Sequence, residues 1–238
     1  MEPSDQPVLF TIGHSTHPIE EFIALLRCHD ITAVCDVRSA PYSRFNPQFR
    51  REALAASLKD ADIAYVYLGR ELGARIEDPA LLEDGRVSFA KVARSDLFCA
   101  GMERVREGMR AYRVALMCAE RDPIQCHRMI LVTRNLQRWF RVDAGALSAE
   151  PGGVRRADAG PVDPAAGPEP NLAAADAGGS LTIAHIRADG SLESNEEAER
   201  RLLEAASLPA GTLFEDEAAM IEEAYERSAR AMAWTPKG

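Results

Sequence analysis

The chain has 238 residues, 46% of them hydrophobic, and a net charge of −9. That length and apolar share suit one substantial globular core, with or without an appendage. No run approaches the ~20 apolar residues of a membrane span, and the polar start Met-Glu-Pro-Ser-Asp-Gln-Pro is unlike a secretory signal. The odd number of cysteines, five, reads as reduced thiols in a cytoplasm.

The charge is unevenly placed. Residues 1–143 carry 20 basic and 20 acidic side chains, and residues 144–238 carry 8 and 17. A neutral first part argues against a long duplex footprint. Eighteen of its 20 basic residues are Arg, which suits planar recognition of phosphate or carboxylate and follows equally from a GC-rich coding sequence.

In chain order, Val8 to Ile12 is a β-rich apolar run ending in Gly13-His14-Ser15. Pro18 opens a helix whose Ile19, Phe22, Ile23, Leu25 and Leu26 recur at helical spacing. Ile31 to Cys35 is a second strand, ending in Asp36-Val37-Arg38, so the start of the chain reads as a parallel βαβ unit. Residues 38–51 hold four Arg, three aromatics and two Pro without an acid, and read as a loop before a helix at about 50–59. Ile63 to Leu68 is a third strand, running into Gly69-Arg70. Residues 74–90 read as a surface excursion with Asp84-Gly85 as a turn.

Leu97 to Met109 is helical, and Val114 to Met117 is a buried strand. The loop after it holds Cys118, Glu120, Arg121, Asp122, Cys126, His127 and Arg128, and a helix starts at about Cys126. Residues 143–180 are rich in Ala, Gly, Pro and Asp and bury too little to offset chain entropy, which predicts a flexible insertion. Leu181 to Arg187 is a strand, Asn195 to Leu203 a capped helix and about 215–233 a last helix. The expected fold is α/β. A single, mostly parallel sheet has helices on both faces, with 1–142 as the core, 143–180 as the insertion and 181–238 completing the core.

His14-Ser15, Asp36-Val37-Arg38, Gly69-Arg70 and Cys118-Ala119-Glu120 all fall at carboxyl ends of predicted parallel strands, the edge where such sheets bind ligands. Gly13-His14-Ser15, Asp36-Val37-Arg38, Cys118-Ala119-Glu120 with Cys126-His127-Arg128, and His185-Ile186 before Asp189-Gly190 resemble the bacterial family known as domain of unknown function 488. The resemblance covers about residues 8–142 and 181–203. It implies an intracellular α/β domain and brings no established reaction. In that family the helix after Cys-His-Arg runs almost directly into the His-Ile strand, so the roughly forty intervening residues read as particular to this chain.

The candidate proton-transfer groups are His14, Asp36 and Glu120. Cys126 is a candidate thiolate at a helix N-terminus. Cys118 reads as a packed small hydrophobe or one half of a redox pair, and Cys28 and Cys99 read as core. Arg38 and Arg128 are expected to converge on a phosphate or carboxylate, with Ser15, Tyr42, Arg44, Arg70, Cys118 and His127 around the ligand. The competing reading makes both arginines parts of a structural ion network. Arg44, Arg50 and Arg51 with Tyr42, Phe45 and Phe49 suit a phosphate-bearing strand with stacked bases.

Cys118, Cys126, His127 and His14 could in principle supply four metal ligands, yet no metal is expected. Consecutive helical residues point about 100° apart, so Cys126 and His127 would not share an ion, and zinc-motif spacing is missing. A strand, a loop with Cys and Arg, and a helix also form the layout of rhodanese-like sulfurtransferases and cysteine phosphatases, but Cys118 to Arg128 is twice their span. The functional expectation is an enzyme acting on a nucleotide or nucleic acid through an Arg-lined anion pocket. The alternatives are a non-catalytic nucleotide- or nucleic-acid-binding module and a thiol or sulfur-transfer protein using Cys126. The expected partner is a phosphate-bearing small molecule or single-stranded nucleic acid, with no membrane; the cofactor and the oligomeric state are left open.

Overall fold

A computed structural model describes residues 7–146, 180–207 and 217–236. In chain order the regular elements begin with β1 (Val8–Gly13), α1 (Ile19–Cys28), β2 (Ala33–Asp36), α2 (Arg51–Asp60), β3 (Ala64–Tyr67) and the short α3 (Gly69–Leu72). A two-stranded hairpin follows, β4 (Leu82–Glu83) and β5 (Arg86–Val87), then α4 (Phe89–Val92), α5 (Asp96–Ala111) and β6 (Val114–Cys118). A π-helical turn (Arg128–Thr133) leads into α6 (Arg134–Ala146), and β7 (Thr182–Ile186), β8 (Leu192–Ser194), α7 (Asn195–Ala205) and α8 (Glu217–Met232) complete the described chain. The expectation of an insertion at 143–180 falls on residues that, from 147 to 179, lie outside the described set.

The six-stranded sheet has the order β3-β2-β6-β1-β7-β8, parallel throughout except for β8, which runs antiparallel to β7. This is the expected α/β architecture, with β8 as an addition. β1 and β2 are not neighbours: β6 lies between them, pairing Phe10 with Ala115 on one side and Val34 with Ala115 on the other. Strand alternation divides the core. Phe10, Ile12, Val34, Ala115 and Met117 face a cluster containing Phe22 and Leu26 of α1 and Leu54 and Leu58 of α2. Leu9, Cys35, Val114, Leu116 and Cys118 face a larger one built with α5, the π-helical turn, α7 and α8. Each large apolar side chain fully buried here contributes about 1.5–3 kcal/mol.

The chain leaves β1 towards α1 on one face and leaves β6 towards the π-helical turn on the other. Adjacent strands whose connections depart to opposite faces open a crevice between their carboxyl ends. Gly13 makes the crevice narrow at its base, because a Cβ there would lie 2.0 Å from the Glu120 carbonyl oxygen. The backbone of 118–121 therefore crosses the end of β1 at a distance only glycine permits. His14 N–H donates to the Cys118 carbonyl at 2.9 Å and Ser15 N–H to the Ala119 carbonyl at 3.0 Å, locking the two loops together.

Candidate functional site

A cleft of about 770 Å³ opens at this edge. It is lined by His14, Ser15 and Thr16 after β1, by Arg38, Ser39 and Ala40 after β2, and by Cys118, Ala119, Glu120 and His127 after β6. Tyr42, Ser43 and Asn46 line one rim; Arg75 and Phe89 from the excursion and Trp234 beyond α8 line another. Two polar clusters meet here from opposite faces of the sheet, since Asp36 shares the face of Val34 and Cys118 that of Leu116.

The first cluster is saturated. Asp36 is wholly buried and accepts four hydrogen bonds: from Arg38 N–H (3.1 Å) and Arg38 Nε (2.9 Å) on Oδ1, and from Arg38 Nη2 (2.6 Å) and Tyr65 O–H (2.8 Å) on Oδ2. Arg38 Nη2 also donates to the Phe49 carbonyl, and Nη1 to His14 Nε2 at 3.1 Å. That leaves His14 Nδ1 to donate to the Ser15 carbonyl at 2.9 Å, which sets the tautomer. The His14 ring stacks on Phe49 with centroids 4.2 Å apart. Burial first, then the Arg38 charge, lowers its pKa to about 4, so His14 is neutral at pH 7. Burial and the Asp36 charge likewise hold the Tyr65 phenol well above its ordinary range.

Neither Asp36 nor His14, the expected proton-transfer groups, stands as a free base: both are engaged by Arg38 and fix it. The expected convergence of Arg38 and Arg128 is corrected too. Arg128 is fully buried, with Nη1 donating to the Glu120 carbonyl at 2.6 Å, Nη2 to the Arg121 carbonyl at 3.1 Å and Nε to Thr11 Oγ1 at 3.4 Å. Its role is to hold the 118–121 backbone. Behind it a buried polar chain runs from Thr11 through His185 (2.8 Å) to Asn195 (3.3 Å) and on to Gln137 (3.3 Å). His185 thus supports Arg128 from beneath the site. Burial, then the Arg128 charge, brings its pKa down to about 3.

The second cluster is built of Cys118, Glu120, Cys126 and His127, whose ligating atoms all lie within 4.8 Å of one another. Both sulfurs converge on the same carboxylate oxygen, Glu120 Oε2, from 2.8 Å (Cys118) and 3.1 Å (Cys126). His127 Nδ1 faces both sulfurs at 3.6 and 4.0 Å, while its Nε2 donates to the Val37 carbonyl at 3.0 Å. Here the expected helix start is corrected. Cys126 is extended (φ −133, ψ 138) and follows the single turn Pro123–Gln125; His127 is the first residue with helical dihedrals. The 100° argument does not apply to such a pair, and the two side chains point to one place. The angular argument against a shared ion therefore falls, and the four side chains form a candidate ligand set.

Burial and the neighbouring Cys126 push the Cys118 thiol well above its usual pKa. For Cys126 burial acts in the same sense, but the Cys118 hydrogen bond, the Arg128 charge and His127 outweigh it, so its pKa is well below the usual value. Partial desolvation of its carboxylate beside the buried sulfurs, then Cys126, raises the Glu120 pKa, although the residue as a whole is exposed on the cleft wall. Cys126 is 1% exposed and is not on the cleft wall, whereas Cys118 is.

Tyr42 remains at the cleft, and Arg44 is exposed on the same loop without lining it. Arg70 is exposed and also away from the cleft wall. Cys28 is exposed, not core as expected, while Cys99 is half-buried and packs against the larger core cluster. The sequence reading missed Arg75 and Trp234. Arg75 lay in a stretch read as surface, although its backbone N–H is tied to Ser39 Oγ at 2.9 Å. Trp234 is a single aromatic beyond a terminal helix, with no periodic signal.

The family model described as "Domain of unknown function DUF488" matches residues 18–135. The chain resembles that family over the stretch that holds Asp36, Arg38, Cys118, Glu120, Cys126 and His127. The match leaves β1 with His14, and β7 with His185, outside it. Neither the curated proteins nor the solved structures contain a match to this chain.

Proposed function

We propose that this protein is an enzyme that hydrolyses a bond in a nucleotide or single-stranded nucleic acid bound in the cleft. The observation that carries the reading is the 40–51 loop. Tyr42 is 64% and Phe45 89% exposed, beside Arg44 and with Arg50 stacked 4.7 Å over the Tyr42 ring, on the loop whose Ala40, Tyr42, Ser43 and Asn46 line the cleft. Leaving two large aromatics in water among arginines has no packing rationale, and stacking a base on each is worth about 1–3 kcal/mol. Arg44 and Arg75, both exposed, replace Arg38 and Arg128 as the cations that meet phosphate. Glu120 is the proton-transfer group, because its raised pKa brings it closer to neutrality than an ordinary carboxyl. Sulfur transfer is disfavoured, since the more acidic thiol, Cys126, is shielded from the cleft.

The test is to incubate the protein with mononucleotides and short single-stranded oligonucleotides. Binding is read by fluorescence anisotropy and products by mass spectrometry. Phe45→Ala and Tyr42→Ala should each weaken binding about tenfold, and Glu120→Gln should abolish turnover. Binding without turnover in the unaltered protein would select the non-catalytic binding module instead; no binding to any member of the panel sinks the proposal.

A further inference from the structure

We propose that Cys118, Glu120, Cys126 and His127 form a mononuclear zinc(II) site, with the two sulfurs and the imidazole as fixed ligands and Glu120 as the exchangeable fourth. This site does not depend on the substrate read above. Its first support is geometric. Zinc bonds of about 2.3 Å to sulfur and 2.0–2.1 Å to nitrogen or oxygen imply ligand–ligand separations of roughly 3.3–3.8 Å in a tetrahedron. The four separations defined by contacts are 2.8, 3.1, 3.6 and 4.0 Å, on both sides of that range. Small side-chain adjustments suffice for the donors to close on an ion.

The second support is the surrounding shell. A ligating histidine ordinarily donates its other ring N–H to a carbonyl or carboxylate, which fixes the lone pair on the metal side. His127 does this: Nε2 donates to the Val37 carbonyl, and Nδ1 faces the sulfurs. The Arg128 backbone N–H donates to Cys126 Sγ at 3.4 Å, as it would to a coordinated thiolate. The buried Arg128 side chain anchors the Glu120 carbonyl, so the loop carrying two of the four donors is held before any ion arrives.

The third support is exposure. Cys118 and Cys126 are 2% and 1% exposed, His127 is half-buried, and Glu120 is exposed on the cleft wall. Cys118 and His127 on the cleft wall, Cys126 packed behind it and Glu120 on the solvent side is the arrangement of an open, catalytic-type zinc site, in which water or substrate can take the fourth position. Two thiolates and an imidazole favour zinc over magnesium or calcium, which take oxygen donors. With a water in that fourth position, zinc would generate hydroxide near neutral pH. Glu120 would then stand beside it to move the proton.

The test uses the full chain, prepared under reducing conditions, stripped with a chelator and reloaded. One zinc per chain should be retained through gel filtration and should raise the melting temperature. Cobalt(II) in its place should give a sulfur-to-metal charge-transfer band and the intense visible bands of tetrahedral cobalt. Cys118→Ser and Cys126→Ser should each lower zinc affinity beyond the roughly 100-fold that loss of an outer-shell partner costs. Glu120→Gln should keep the zinc and alter the cobalt visible bands, and Cys28→Ser should change nothing. Should a cysteine variant fail to fold, His127→Gln and the wild-type cobalt spectrum decide. The site is refuted if the wild-type protein shows no cobalt–thiolate band, or if the band keeps its full intensity in Cys118→Ser and in Cys126→Ser. Neither readout requires substrate, so failure here is separable from failure of the hydrolase reading.

Discussion

The Asp36–Arg38–His14 cluster and the Cys118–Glu120–Cys126–His127 cluster occupy the same edge of the same sheet and are polar to a similar degree, yet they differ in hydrogen-bond accounting. In the first, cation meets anion, both Asp36 oxygens accept twice and both His14 nitrogens are engaged. In the second, two sulfurs share one carboxylate oxygen and the His127 Nδ1 atom faces them. A saturated buried network has no lone pair to offer a ligand, and its value is positional. A cluster whose sulfur, oxygen and nitrogen atoms converge on one point has the ligand types a cation takes. Reactive residue types at a strand end are thus a poor guide to chemistry until their partners are known.

The comparison can be broken by mutation, and the largest effect belongs to the saturated side. Asp36→Asn leaves the Arg38 guanidinium buried beside a neutral partner and should destabilise the fold by about 3–5 kcal/mol in chemical denaturation. A loss below 1 kcal/mol would mean that water reaches Arg38 and that the network is not closed. Arg128→Met comes next. It orphans the Glu120 and Arg121 carbonyls, and at about 1–3 kcal/mol per buried unsatisfied group it should cost about 3 kcal/mol. Unchanged stability with lost ligand binding would restore Arg128 to the anion site.

Acid should act more gently. The folded-state pKa values of His14 and His185, about 4 and about 3, lie below the ordinary 6.5. Between those limits the unfolded chain binds protons that the folded chain refuses, so stability is full above pH 6.5 and falls as the pH drops towards 4. The melting temperature measured from pH 7.5 to 4.5 should decline, and His185→Asn should flatten the decline. A melting temperature constant over that window would show that both rings protonate in place. The smallest effect belongs to the open side: Glu120→Gln, at an exposed position, should shift stability by less than about 1 kcal/mol in metal-free protein. A loss comparable to that of Asp36→Asn would make the thiol cluster a structural network as well.

Most of the architecture was legible in the sequence. The apolar runs at Val8, Ile31, Ile63, Val114 and Leu181 are strands because each is short, β-rich and bounded by turn residues. Asn195 starts a helix because Ser194 and Glu197 form a capping box, a signal that is local by nature. Even the gathering of His14, Asp36, Arg38, Cys118 and Glu120 at one edge followed from parallel strands alone.

What the sequence could not decide was which partner each group finds. That β6 lies between β1 and β2 depends on strand order, which local pattern does not encode, and this order brings the 118–128 loop between His14 and Val37. Arg128 read as an anion-site group or as part of an ion network because its actual acceptors are backbone carbonyls, which have no residue identity to read. Cys126 looked helical because Arg128 and the residues after it are; the extended dihedrals that turn its sulfur towards Cys118 arise from the preceding Pro123–Gln125 turn and from the Arg128 anchor. Residue types and element boundaries are properties of the chain. Saturation of a donor, and convergence of lone pairs on one point, exist only once distant segments have packed.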